Sequence, residues 1–288
     1  MPELPEVELV ARSLDRIVKN RRILSARLLR ERLAPDTTPR AFARSLRGAQ
    51  IISVGRRGKH ILTHLDNGRV LITHLRMTGR FLMLPARGAL PKHTHALFRL
   101  DEGRRLAFTD QRHFGLMKVV SAERLSEARE LRDLAPEPFS DEFTPAQLAG
   151  VLGRTRRALK DVLLDQTKVT GLGNIYAAEV LFLARLDPFA PADALTRRGV
   201  ARLHRAVLDV LGEAIAHGST MNVDPEDIDG SYFGGGYNGR WRVYDREGEP
   251  CQTCGATIGR VSHAGRSTYF CPRCQLRRPS VQPVAGAA

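Results

Sequence analysis

The chain opens Met1-Pro2-Glu3-Leu4-Pro5-Glu6-Val7-Glu8. An initiator methionine is commonly trimmed before a small second residue, which would leave Pro2 as a free secondary amine. An α-amino group titrates near 7.7–8, against about 10.4 for a lysine side chain, so a useful fraction is unprotonated at neutral pH. Such an amine can attack a sugar C1′, expel the base and leave an iminium. That cation acidifies the C2′ proton, so strand scission by β-elimination follows. Glu3 is placed to protonate the leaving group or the ring oxygen, and Glu6 to orient the site through hydrogen bonds. The same residues also suit a plain helix start, with Pro5 at the first helical position and acids at the positive end of the dipole. On residue types alone that structural reading is the stronger.

A second group lies near the other end. Cys251-Gln252-Thr253-Cys254 and Cys271-Pro272-Arg273-Cys274 are two C-x-x-C pairs with sixteen residues between them. This spacing predicts one tetrahedral Zn(II) held by four thiolates, with no open position and therefore a structural role. Free or redox thiols are the alternative. From residue 251 onward there are five arginines and no Asp or Glu. That balance suits a clamp on nucleic acid; a purely structural or protein-binding ribbon is the alternative.

These groups need elements to position them. Residues 5–18 carry an apolar stripe of Val7, Val10, Leu14 and Ile17 at helical spacing. Strand-like runs follow at 22–30, 50–56, 59–65, 69–76, 80–84, 95–101, 104–109 and 115–120. Asp66-Asn67-Gly68 and Asp101-Glu102-Gly103 are turn signals between such runs. This pattern predicts a sandwich or barrel. After about residue 130 the prolines 136, 138 and 145 mark a linker, and helical periodicity appears at 145–152, 156–165, 174–185 and 196–217. Asn174 reads as the N-cap of its helix, behind a tight turn at Gly171 and Gly173. Residues 218–240 read as a long loop with acids and glycines, and 241–274 as a β-hairpin carrying the cysteines.

The 288 residues suffice for two domains and an appendage, and 42% hydrophobic content excludes general disorder. Net charge is +14, mostly arginine spread along the chain. A folded protein this basic calls for an acidic partner, nucleic acid first. No stretch approaches the length of a transmembrane helix, the N-terminus lacks the apolar region of a signal peptide, and the cysteines form no secreted disulfide framework. A cytoplasmic protein with no membrane association is expected.

Taken together, the opening string, Gly58-Lys59, His74-Leu75-Arg76-Met77-Thr78-Gly79, Lys92-His93, Gln111-Arg112-His113-Phe114-Gly115, Gly171-Leu172-Gly173-Asn174-Ile175-Tyr176-Ala177 and Gly265-Arg266-Ser267-Thr268 resemble the bacterial formamidopyrimidine-DNA glycosylases, from residue 1 to about 275. Leu4 favours that group over the related endonuclease VIII group, which usually has Gly there. The resemblance implies an α+β fold. It would comprise an N-terminal β-sandwich flanked by a helix (1–132), a helical domain with a helix–two-turn–helix motif (133–240, base-recognition loop 218–240), a β-hairpin zinc finger (241–275) and a disordered tail (276–288).

It implies a bifunctional DNA glycosylase and AP lyase that removes oxidised purines from damaged double-stranded DNA, acts as a monomer and holds one structural Zn(II) on Cys251, Cys254, Cys271 and Cys274. By position, Pro2 would form the Schiff base and Glu3 would donate the proton. Lys59 would contact phosphate and assist β-elimination, and Arg266 would assist δ-elimination. Met77, Arg112 and Phe114 would fill the gap left by the flipped nucleotide. His93, Lys160 and Asn174 would hold DNA. From residue types alone, Arg154, Arg156 and Arg157 beside Lys160 read as a phosphate track, with a solvated face as the alternative. Without the resemblance, Met77 and Phe114 read as core, and His74 reads as structural in any case.

The loop from Ser219 to Gly239 departs from the family's usual wording, with four acids within 224–229, and Arg76 and His113 are smaller departures. Lesion preference is the property these departures touch, and Gly234-Gly235-Gly236 predicts a mobile stretch. The alternatives are an endonuclease VIII-like glycosylase for oxidised pyrimidines and a non-catalytic DNA-damage-binding protein.

Overall fold

A computed structural model describes residues 1–228, 235–237 and 239–276. Two compact units divide the chain: Met1–Pro138 with Leu211–Gly239, and Phe139–Val210 with Arg240–Ala288.

The first unit is built on two four-stranded antiparallel sheets. The strands are β1 (Ile23–Leu28), β2 (Ile51–Arg57), β3 (His60–Leu65), β4 (Arg69–His74), β5 (Gly79–Leu84), β6 (Thr94–Leu100), β7 (Arg105–Asp110) and β8 (Leu116–Ser121). One sheet has the order β1-β6-β7-β5 and the other β2-β3-β4-β8. Inward residues of both sheets, among them Phe81, Phe98 and Phe108 of one and Ile61, Leu65 and Leu71 of the other, share one core, so the unit is the expected sandwich. Helix α1 (Leu4–Val18) lays Val7, Val10, Ala11, Leu14 and Val18 into that core. Its polar face is tied to β2, where Asp15 accepts the Val54 N–H at 2.6 Å and Glu8 accepts from Arg56 Nε at 2.6 Å.

A further helix, α2 (Pro39–Leu46), lies in a stretch the alternation pattern left unassigned. Thr38 caps it by accepting the Ala41 N–H, Pro39 sits in its first turn, and Phe42 and Leu46 are fully buried. The Thr38-Pro39 pair was the local signal, as Thr144-Pro145 is for the later helix Pro145–Leu152.

The second unit is helical with a small hairpin. It contains α3 (Pro145–Leu152), α4 (Leu159–Leu164) and α5 (Asn174–Leu183); α6 (Arg197–Ala216) starts within it. Two turns join α4 to α5. Asp165 accepts the Thr167 N–H through its side chain and the Val169 N–H through its carbonyl. Gln166 then reaches the Gly171 N–H and the Leu172 carbonyl, with Gly171 at φ +88°. This is the helix–two-turn–helix arrangement. The cap of α5 is Gly173, one position before the Asn174 that the sequence reading made the cap, and Asn174 is the first helical residue.

Strands β9 (Gly259–His263) and β10 (Arg266–Phe270) pair antiparallel around Ala264-Gly265, both at positive φ. The regular hairpin is shorter than the expected 241–274, with one cysteine pair just before it and the other just after. Its base packs on α5 through Ala178, Phe182, Val243, Ile258 and Tyr269. Residues 229–234, 238 and 277–288 lie outside the described residues. With them lie the tip of the expected recognition loop, including Gly234, and nearly all of the expected disordered tail. Among the described residues no helix is long and apolar enough to cross a membrane.

Candidate active site

The start of the first unit is held with unusual firmness for a chain terminus. Pro2 is buried directly before Glu3, which caps α1 and is 2% exposed. Glu6, 1% exposed, accepts the Glu3 backbone N–H at 2.8 Å with Oε2. Its other oxygen accepts from Thr220 Oγ1 at 2.9 Å and from the Thr220 N–H at 3.2 Å. A helix start exposed to water needs no such anchor. The stem at Ser219–Met221 is in turn packed against Gly235 and Gly236. A Cβ at Gly235 would meet Ser219 O at 2.5 Å, and one at Gly236 would meet His217 O at 2.6 Å. Side chains there would therefore push the Thr220 anchor away.

Lys59 sits in the β2–β3 turn behind Gly58, whose φ is +56°, and is itself 5% exposed. The turn is fastened by Glu137, which accepts the Gly58 N–H at 2.6 Å, Arg57 Nη1 at 2.9 Å and Arg56 Nη1. Burial would raise the Glu137 pKa. The Arg56 charge and these donors outweigh it and hold the carboxyl below its ordinary range. Next to the turn, His60 and His74 meet edge to face at 4.6 Å. Burial lowers both, His60 to about 4 and His74 to about 2. His74 Nδ1 accepts the Arg76 N–H at 3.0 Å, so it is a neutral structural group.

The three residues expected to fill a vacated stack sit on two neighbouring turns. Met77 precedes β5, and Arg112 and Phe114 follow β7. Phe114 is 45% exposed, with the Arg112 guanidinium 5.2 Å from its ring centroid. Phe114 is thus no core residue. Both turns converge on Asp110, which no reading of the sequence singled out. Its carboxylate takes the Thr78 hydroxyl and the Arg112 N–H on one oxygen, and the Phe114 and Gly115 N–H groups on the other. His93, exposed and at φ +60°, is linked to the same place, because its carbonyl accepts the Asp110 N–H at 3.0 Å.

In the second unit Arg266 is exposed at the start of β10. The residue after it is gripped by two groups expected to hold DNA. Lys160, 1% exposed, donates through Nζ to Ser267 O and to Thr268 Oγ1, both at 2.8 Å. Asn174 Nδ2 donates to Ser267 O at 3.1 Å. The structure therefore gives both side chains a partner in the finger. Arg157 is engaged by Asp165 at 2.9 Å, while Arg156 is 89% exposed with Asp193 3.8 Å away. Glu179, fully buried on α5, accepts the N–H groups of Arg242, Val243 and Tyr244 and so fixes the lead-in to the finger. Burial raises its pKa against those three donors.

The four cysteine sulfurs lie within 4.8 Å of one another, with Cys254–Cys271 at 3.5 Å and Cys251–Cys274 at 3.9 Å. Tetrahedral Zn–S bonds of about 2.3 Å require sulfurs about 3.8 Å apart, so the residues fit the ion. Burial and the neighbouring thiols push Cys274 up to about 12, a penalty that a divalent cation relieves.

Three family models match the chain. The formamidopyrimidine-DNA glycosylase N-terminal domain matches residues 1–117, the H2TH domain of the same enzymes 134–224, and the zinc finger found in FPG and IleRS 248–277. A formamidopyrimidine-DNA glycosylase of Desulforamulus reducens is 41% identical over 276 residues, covering 96% of this chain and 99% of the relative. The chain belongs to the formamidopyrimidine-DNA glycosylase family.

A second family member, from Chloroflexus aurantiacus, is 42% identical over 277 residues, covering 96% of this chain and 98% of the relative. Among solved structures, the Lactococcus lactis Fpg in complex with abasic-site DNA superposes with a TM-score of 0.88 at 31% identity, covering 96% of this chain and all of that one. The same protein bound to Fapy-dG DNA gives the same score and coverage at 31% identity. The glycosylase fold and the zinc finger expected from the sequence are thus both present. What sequence reasoning missed are three acids that fasten these segments, Asp110 and Glu137 in the first unit and Glu179 in the second. The family's opening string names neither them nor their partners. Only Asp110 had a visible cue, its place beside the Gln111–Gly115 run.

Proposed function

We propose that this chain is a base excision repair enzyme, a bifunctional DNA glycosylase and AP lyase acting on damaged double-stranded DNA, with 8-oxoguanine and formamidopyrimidines as its substrates. The observation that carries this reading is the buried Pro2-Glu3 pair, anchored by Glu6 to both the helix start and the Thr220 stem.

With Met1 removed, the Pro2 nitrogen attacks C1′ as the glycosidic bond breaks, and its proton leaves with the base. Glu3 protonates the ring oxygen, the sugar opens, and an iminium joins Pro2 to C1′. Loss of a C2′ proton then expels the 3′-phosphate, with Lys59 countering the charge. Loss of a C4′ proton expels the 5′-phosphate, with Arg266 in that part, and water frees Pro2. Extrusion of the nucleotide costs roughly a few kcal/mol. Met77, Arg112 and Phe114 offset this by occupying the vacated stack. Cys251, Cys254, Cys271 and Cys274 hold one zinc ion, which folds the finger and takes no part in the chemistry. The enzyme acts as a cytoplasmic monomer, recruited to DNA by its positive charge.

One observation favours a wider substrate range. A structural relative at 31% identity has been solved with an oxidised pyrimidine-containing DNA. Borohydride trapping on duplexes carrying 8-oxoguanine, an oxidised pyrimidine or an abasic site tests the whole reading. A covalent adduct is expected on the first and third, one on the second would bear out the wider range, and absence on all three would refute the whole reading.

A further inference from the structure

Asp110 ends β7 in register with Gly79, the first residue of β5, and its side chain is completely buried. Its contacts described above are all with neutral donors. Oδ1 takes the Thr78 hydroxyl and, at 3.2 Å, the Arg112 N–H; Oδ2 takes the Phe114 and Gly115 N–H groups, both at 2.7 Å. The Thr78 hydroxyl also accepts the Arg112 N–H at 3.0 Å. Burial alone would raise the pKa of this carboxyl, and the hydrogen bonds hold it below its ordinary range.

The backbone around it has been cleared for close approach. A Cβ on Gly79 would lie 2.4 Å from Leu75 O, and one on Gly115 would lie 2.9 Å from the Phe108 ring. All this rigidity supports a Phe114 ring left 45% exposed, which gains nothing for the core. An exposed aromatic on a fixed backbone is a preorganised contact.

We infer that Asp110 is a positioning residue for nucleotide extrusion: it locks the Met77–Gly79 and Arg112–Gly115 turns into one rigid wedge and thereby sets the discrimination of the base opposite the lesion. The inference rests on the glycosylase reading above. Single-stranded DNA offers no stack to wedge and no orphaned base to inspect, so it separates the wedge from the covalent chemistry.

The test compares wild type with Asp110→Asn, which turns one acceptor oxygen into a donor, and with Thr78→Val and Thr78→Ser. Three substrates are used: duplex 8-oxoguanine opposite C, the same opposite A, and a single-stranded abasic oligonucleotide. Asp110→Asn and Thr78→Val should lose about tenfold or more in duplex excision, since small misplacements of contact groups cost up to about 10²-fold. Their C-to-A rate ratio should move towards one, and Thr78→Ser should recover both properties. Trapping on the single strand should stay within about threefold of wild type, because the Pro2 chemistry is untouched. Unchanged duplex rates and ratios in Asp110→Asn and Thr78→Val would overturn the inference, and so would a parallel loss on single-stranded DNA. Should Asp110→Asn fail to fold, the Thr78 pair decides. A wild-type enzyme that traps on none of these substrates sinks the glycosylase reading itself, a failure separate from that of Asp110.

Discussion

The Glu6 carboxylate joins the Glu3 backbone N–H at 2.8 Å to the Thr220 hydroxyl at 2.9 Å, and both ends of this link are buried. The residue read as the proton donor is thus fixed by an acid three positions on. Glu6→Ala removes the anchor and leaves buried N–H groups unpaired, which costs about 1–3 kcal/mol each. Single-turnover excision should fall by about tenfold or more while duplex affinity stays near wild type, a split read by stopped excision assays beside equilibrium binding.

Lys160 and Asn174 both donate to the carbonyl of Ser267, the residue after Arg266. Lys160→Met keeps the apolar stem and removes the ammonium. Base release should persist, while the product mixture shifts from β,δ- towards β-elimination ends as Arg266 loses its fixed position. Gel analysis of the cleaved strand distinguishes the two ends, and an unchanged ratio would assign Lys160 another part.

Stability should fall on acidification because of His60 and His74. Their folded pKa values are lowered, to about 4 and about 2, from an ordinary 6.5. The unfolded chain therefore binds more protons below pH 6.5. The stability present above that pH is lost progressively down to the folded values. For His60 alone the loss by pH 4 is about 3 kcal/mol. Denaturant unfolding between pH 7 and 4 should show this slope, and His60→Gln should reduce it to the part that His74 contributes. Glu137, also held low, adds its own loss only below the ordinary carboxylate range.

Chelation of zinc should unravel the finger, since four packed thiols lose the ion that offsets their crowding. Limited proteolysis should then cut within residues 245–275 and DNA affinity should drop. The sandwich, whose core contains none of these cysteines, should keep its cooperative unfolding.

Much of this architecture was legible because the signals were local. Short strand-like runs bounded by turn signals located all eight strands of the sandwich, and the cysteine spacing located the metal site. The chemistry of Pro2 was legible as a possibility, but residue types alone favoured a plain helix start, and the string from Met1 to Glu8 carried weight only as a family resemblance. What stayed hidden depends on contacts distant in sequence. Nothing local tells that Glu137 will meet Gly58, or that buried Lys160 will face Ser267 and not solvent. The acids of the 218–240 loop stood out as a departure, yet part of their work is structural. Glu226 pairs with Arg104 at 2.7 Å, and the Pro225 carbonyl accepts the Met83 N–H on the edge strand β5.

Peptide mapping of the borohydride-trapped complex tests the central claim most directly. The account predicts that, after digestion, mass spectrometry finds the reduced sugar remnant on a peptide beginning at Pro2, with Met1 absent. A remnant on a lysine such as Lys59, or active cross-linked enzyme that still carries Met1, would contradict it.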